Sequence, residues 1–115
     1  ARPGTTTHRK FLHLAALLGN DPALALGSLE LIWLVGYAAG DPDIGNAETI
    51  ELAASWRGKR GRLFAALRDA GWIDEVAPDR YHIHDFWDHA PDYVRRRLNR
   101  ESVRREKGRV MSAHN

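Results

Sequence analysis

Apolar residues recur along this chain with helical period, and turn chemistry separates one periodic run from the next. Phe11, Leu14, Ala15 and Leu18 fall at i, i+3, i+4 and i+7, which predicts an amphipathic helix starting near His8. Thr5, Thr6 and Thr7 precede it as hydroxyl N-cap candidates. Gly19-Asn20 ends this run, and Asp21-Pro22 opens a second helix, Asp21 as cap and Pro22 at the first position, where a missing N–H costs nothing. That helix is expected over roughly 22–39, with Leu26, Leu29, Ile32, Trp33 and Gly36 as its buried stripe. Leu24, Leu31 and Val35 widen the stripe, the pattern of a central helix covered on two sides. Gly27 and Gly36 each cost about 1 kcal/mol against alanine inside a helix, so close helix packing is expected at both.

A turn at 40–45 leads into a short extended piece around Ile44. Asn46 caps a third helix over 47–55, with Ile50, Leu52, Ala53 and Trp56 facing the core and Glu48 and Glu51 favouring its N-terminal dipole. A fourth helix follows over about 59–70, burying Leu63, Phe64, Leu67 and Ala70 and leaving Arg62, Ala65, Ala66 and Asp69 outside. Gly71 is its left-handed terminator. Residues 72–76 and 80–84 alternate as two strands around an Ala77-Pro78-Asp79 tip. The aromatics of 86–91 are expected to pack back onto the body. Asp92 caps a last helix with only Tyr93, Val94 and Leu98 apolar, which frays into a basic tail. The whole is mainly α with a small β-hairpin (α+β), a winged helix-turn-helix over 1–91 followed by a basic C-terminal helix and tail over 92–115.

Charge changes the picture more than composition does. The 115 residues carry a net charge of +2, but 1–94 hold nine Lys/Arg against thirteen Asp/Glu, whereas 95–115 hold eight Lys/Arg against two Glu. An acidic body with a basic end points to a polyanionic partner for that end. The absence of cysteine removes disulfides and thiolate chemistry, which is compatible with a cytoplasmic setting. The apolar run 29–39 is too short to span a bilayer, and the first ten residues lack the apolar core of a signal peptide. They read as a native start from which the initiator methionine has been removed. No membrane partner is expected.

Four cations, Arg57, Lys59, Arg60 and Arg62, are spaced by Gly58 and Gly61 where the fourth helix begins. Cations there oppose the helix dipole, which calls for a reason. Phosphate and major-groove contact from a recognition helix supplies one, with backbone N–H groups of the helix start helping to hold phosphate. Arg80 at the hairpin tip is a candidate minor-groove contact, weakened by Asp74, Glu75 and Asp79 nearby. The tail cations Arg95, Arg96, Arg97, Arg100, Arg104 and Arg105, continued by Lys107 and Arg109, can track a phosphate backbone. The alternatives there are a solvated helix paired through Glu101 and Glu106, and an assembly helix using Tyr93, Val94 and Leu98, which does not exclude nucleic-acid contact.

His82, His84, Asp85 and His89 invite a metal reading, but no cysteine, HExxH or second ligand pair accompanies them, and structural histidines are the better reading. Asp85 and Asp88 beside His84 and His89 lack any nuclease motif or phosphate-cradling loop, so neither catalysis nor a cofactor is expected.

Several pieces together resemble a known family. LGSLELIWLVGYAAGDPDIG, ETIELAASW, LFAALRDAGWID and YHIHDFWDHAPDYVRRRLNRE are similar to the N-terminal winged-helix domains of phage and prophage replication proteins, the replisome-organiser and DnaD-like modules. The resemblance covers about residues 8–101. It is densest in the 29–33 helix segment, the ALxxxGWI turn at 66–73 and the IHDxW step at 83–87. It implies a winged helix, a cytoplasmic setting in the phage host, duplex DNA as partner, and a role in replication or its regulation, with replication proteins as possible further partners. Many members continue into a second domain that contacts a helicase or its loader, a part not found in this sequence, so replication is implied less directly than the fold. The competing reading keeps the fold but makes it a protein-interaction module, a homodimer or a docking unit without DNA reading, for which the acidic balance of 1–94 speaks.

Overall fold

The computed structural model describes residues 2–96. A 3₁₀ turn at Thr5–Thr7 leads into α1 (Arg9–Leu17), α2 (Pro22–Ala39), β1 (Asp43–Gly45), α3 (Ala47–Ala53), α4 (Arg62–Asp69), β2 (Ile73–Ala77), β3 (Arg80–Ile83) and α5 (Phe86–His89). Residues 92–96 are again helical. The fold is mixed α+β, helices packed with one antiparallel sheet of order β1-β3-β2.

The threonines do not cap α1. The hydroxyls of Thr5 and Thr7 donate to the carbonyls of Arg2 (2.7 Å) and Gly4 (3.0 Å), so they are engaged within their own turn. His8 is the cap, its Nδ1 accepting from the Lys10 N–H at 3.2 Å. The apolar face of α1 is as expected: Phe11, Leu14, Ala15 and Leu18 are buried.

The expected bounds of α2 are also observed. Asp21 Oδ1 accepts from the Leu24 N–H at 3.0 Å, Pro22 opens the helix, and Gly40 closes it at φ 66°. Its burial is one-sided, however. Ala25, Leu29, Ile32, Trp33, Gly36 and Tyr37 face the core, whereas Leu24, Leu31, Leu34 and Val35 are exposed. The expectation of a helix covered on two sides fails because α1, α3 and the sheet all gather on the Trp33 side. Over its full 18 residues α2 is long and apolar enough to cross a membrane by length and composition, which the shorter run 29–39 understated. Its Trp33 face nevertheless forms part of the core described next.

The two glycines of α2 differ. A Cβ on Gly36 would stand 2.7 Å from Phe86 Cε2 and 3.1 Å from Ile83 Cδ1, so here the helix approaches its neighbours more closely than a side chain permits. A Cβ on Gly27 would meet nothing within 4 Å, and the close packing expected there is absent. Gly36→Ala is therefore expected to lower stability by about 1–3 kcal/mol through overpacking. Gly27→Ala should raise it by about 0.5–1 kcal/mol through helix propensity. Urea denaturation of the two variants side by side checks both signs.

β1 is the short strand expected around Ile44, and Ile44 is buried. It pairs with β3, Asp43 opposite His82, while β2 pairs with β3 as a hairpin with Ile73 opposite Ile83 and Asp74 opposite His82. Asp79 turns the tip at φ 58°, a left-handed position that Asp tolerates. At the centre, Trp33 meets Trp72 edge-on at 5.9 Å and stacks on the His89 ring at 4.4 Å. The Tyr37 hydroxyl donates to the His89 carbonyl at 2.9 Å, which fastens α5 to α2. Phe86, Ala90 and Val94 are buried in the same core, so the segment after the hairpin does fold back, although Trp87 and Tyr93 stay largely in solvent.

Three expectations around α3 and α4 need correction. Leu52 is 73% exposed and does not face the core; Ile50, fully buried, carries that contact. Ala66 is buried, not outward, because it lies one turn from Leu63 on the same face. α4 begins at Arg62, not near Lys59, because Gly61 precedes it at φ 87°, which no helical residue adopts.

Candidate nucleic-acid interface

The connection between α3 and α4 is a built turn. Ser55 reverses the chain at φ 54°. The Trp56 ring then lies against Gly58, where any Cβ would run into it, and its Nε1–H donates to the Lys59 carbonyl at 2.9 Å. Beneath the turn lies Glu51, only 8% exposed. Its Oε1 accepts from the Gly61 N–H at 2.8 Å, and its Oε2 accepts from Leu63 at 3.0 Å and Phe64 at 3.2 Å. One carboxylate from α3 thus satisfies three donors at the start of α4, where the helix leaves them unpaired and its dipole favours negative charge.

This overturns two details of the reading from sequence. Glu51 does not serve the dipole of its own helix, and the backbone N–H groups opening α4 are not free to cradle phosphate, because Glu51 holds them. What the turn presents outward is its side chains. Arg57, Lys59, Arg60 and Arg62 are all exposed. Arg60 lies 3.7 Å from Glu48 with both side chains largely in solvent, a pair worth little and readily exchanged for another anion. Among the described residues, no carboxylate lies within ion-pair distance of Arg57, Lys59 or Arg62. Along α4 the exposed positions continue with Ala65, Arg68 and Asp69, a small residue between charged ones.

The hairpin contributes less. Arg80 is paired with Asp43 across the β1–β3 ladder. Asp43 is held below the usual carboxylate range, first by the Gly45 N–H bond and then by Arg80. Arg80 is thus engaged as a strand-to-strand contact and must leave Asp43 to reach a groove. Arg95 donates to the Trp87 carbonyl, which ties the start of the C-terminal helix to α5. Arg96 is described and makes an interaction of its own. Arg97, Arg100, Arg104, Arg105, Lys107 and Arg109, with Leu98, Glu101 and Glu106, lie outside the described residues.

The histidines divide by environment. His84 sits between two carboxylates, Nδ1 at 2.7 Å from Asp74 and Nε2 at 3.4 Å from Asp85. His89 is 7% exposed, and burial, followed by the nearby Arg2 charge, lowers its pKa to about 4. Among the described residues no group of three or more His, Asp or Glu side chains is placed to hold a metal ion.

No protein-family model matches the chain, and no curated protein or solved structure matches it. The geometry alone carries the functional reading.

Sequence reasoning placed the cations on the right turn but missed the residues that shape it. Glu51 holds the start of α4, not its own helix's dipole, and Trp56 packs against the core as expected while also fixing the turn through its indole N–H. The available signal was the alternation of Gly58 and Gly61 with cations after a tryptophan, a spacing that asks what holds so many glycines in place.

Proposed function

We propose that this chain is a winged-helix DNA-binding domain that meets duplex DNA with the α3–α4 turn and the outer face of α4. The order α2–β1–α3–α4–β2–β3, with the short β1 laid on β3 and the hairpin in the place of a wing, supports this reading. The observation that carries the reading is the turn itself. Its backbone is pinned from below by Trp56 and Glu51, while its four cations are exposed. A rigid support for exposed cations, of which Arg60 alone has a loose, solvent-exposed partner among the described residues, lowers the ordering cost of phosphate contact. Ala65 between Arg62 and Asp69 leaves room for close approach to a groove.

The basic segment 95–115 adds sequence-independent affinity, and Arg80 of the wing is a supporting contact. The sequence resemblance implies a role in replication or its regulation, in a cytoplasmic or phage-host setting. The role is one of binding, with no catalytic step. A second reading, a protein-interaction module, is favoured by the exposed Leu24, Leu31, Leu34 and Val35 on α2.

Arg60→Ala combined with Arg62→Ala is expected to weaken duplex binding about tenfold and to reduce the salt slope of log affinity by roughly 1.8, two phosphate contacts at about 0.9 each. Fluorescence anisotropy over a salt series measures both. Unchanged affinity and slope, with light scattering showing a stable oligomer, would favour the interaction module instead.

A further inference from the structure

The opposite end of α4 carries a second feature. Where α4 ends, Gly71 and Trp72 lead into β2, and His84 follows the end of β3, so this is the base of the hairpin, remote along both elements from the basic turn and the tip. Here the N-terminal segment leaves a cleft of about 390 Å³ lined by Arg2, His8, Lys10, Trp72, His84 and His89, with Asp85 as its one carboxylate. That volume is within the range of small-ligand sites.

The cleft holds two cations without a direct ion pair among the described residues. Lys10 is fixed at both ends: its carbonyl accepts from Trp72 Nε1–H at 3.1 Å, and its ammonium lies 5.0 Å from the centroid of the Trp72 ring. Partial burial lowers its pKa, Asp85 and Asp74 oppose that, and Arg2 adds a smaller lowering. Asp85 lines the cleft too, but it and Asp74 are spent on His84, at 3.4 and 2.7 Å from its two ring nitrogens. Neither Arg2 nor Lys10 has a carboxylate within ion-pair distance among the described residues. His89, which lines the same cleft, has a buried Nδ1 with no hydrogen-bond partner among the described residues. Natural interiors rarely leave such atoms unpaired.

We propose that this cleft is a binding site for a small oxyanion, a phosphate- or carboxylate-bearing metabolite, held by the Lys10 ammonium and the Arg2 guanidinium. The site is separate from the DNA-contacting turn and does not rest on the DNA reading. Its ligand adds negative charge between the two cations and lies beside the base of the hairpin, from which it can influence how the wing is held.

The test uses the full chain and ¹H–¹⁵N spectra recorded during titration with inorganic phosphate, with acetate, and with a short DNA duplex. The expected result is saturable movement of the Trp72 indole and Lys10 amide signals with phosphate or acetate, weakened at least tenfold in both Lys10→Gln and Arg2→Gln. Which anion saturates at lower concentration assigns the head group. The two variants back each other up should one of them fold poorly, and wild-type dispersion of the remaining signals identifies the folded one. No saturable movement, or movement unchanged in the folded variants, overturns the site. If only duplex DNA moves these signals in a Lys10-dependent way, the cleft belongs to the DNA path, and a separate small-anion site is likewise overturned.

Discussion

Glu51→Ala is expected to lower stability by about 3 kcal/mol and to loosen the basic turn at the same time. A single nearly buried carboxylate holds the Gly61, Leu63 and Phe64 N–H groups. Hydrogen bonds to a charged group contribute about 1.5–3 kcal/mol each, and water at the edge of the turn recovers part of the loss. Glu51→Gln keeps acceptor capacity on one oxygen but turns an NH₂ group toward donors, so about half that loss is expected. Urea denaturation measures both; a loss under about 1 kcal/mol for alanine would show that the turn is held by something else. The DNA consequence has an informative sign. Removing Glu51 makes the protein one charge more positive, which by electrostatics alone strengthens DNA binding. If the turn's geometry matters, the variant must bind more weakly at temperatures where it is still folded.

The second large effect is on the acid side of the stability profile, and it belongs to His89. Burial against Trp33, with Arg2 nearby, lowers its pKa from 6.5 to about 4, while Asp85 and Asp88 only partly oppose this. The folded protein keeps this imidazole neutral where the unfolded chain protonates it. Between pH 6.5 and about 4 the unfolded state therefore binds more protons, so stability falls as pH falls through that window and levels off below it. At about 1.4 kcal/mol per pKa unit the loss is about 3 kcal/mol. Thermal melts from pH 7.5 to 4 check it, with His89→Phe as comparison, since that ring can still stack on Trp33 but cannot titrate. Equal acid sensitivity in the two proteins would place the origin elsewhere.

How much of this was legible in the sequence follows from the range over which each interaction acts. Local signals read correctly: Asp21-Pro22 and Gly40 bound α2, Asn46 caps α3, Gly71 ends α4, and Ile44 forms the short strand. α3 has only two turns, too few for periodicity to choose between Ile50 and Leu52 as the inward residue, and the choice fell partly on Leu52. The one-sided burial of α2 was hidden because leucine and valine occupy both faces, and composition cannot say which one the domain covers. At the candidate interface the exposed cations were legible as a cluster. The carboxylate beneath them was not, because Glu51 meets Gly61 ten residues away through a turn whose path depends on Ser55, Gly58 and Gly61 at once. That miss mattered, since it exchanged a backbone phosphate cradle for a side-chain one.

The central claim is that duplex DNA sits on the α3–α4 turn. The most direct measurement is a titration of the ¹⁵N-labelled full chain with a short duplex, following each backbone amide and the arginine Nε–H signals. The expected result is that the largest movements fall on residues 57–62 and on Ala65, with the exposed α2 face around Leu31 and Leu34 unmoved. Movements concentrated on α2, or confined to residues beyond 94 while the turn stays silent, would contradict it.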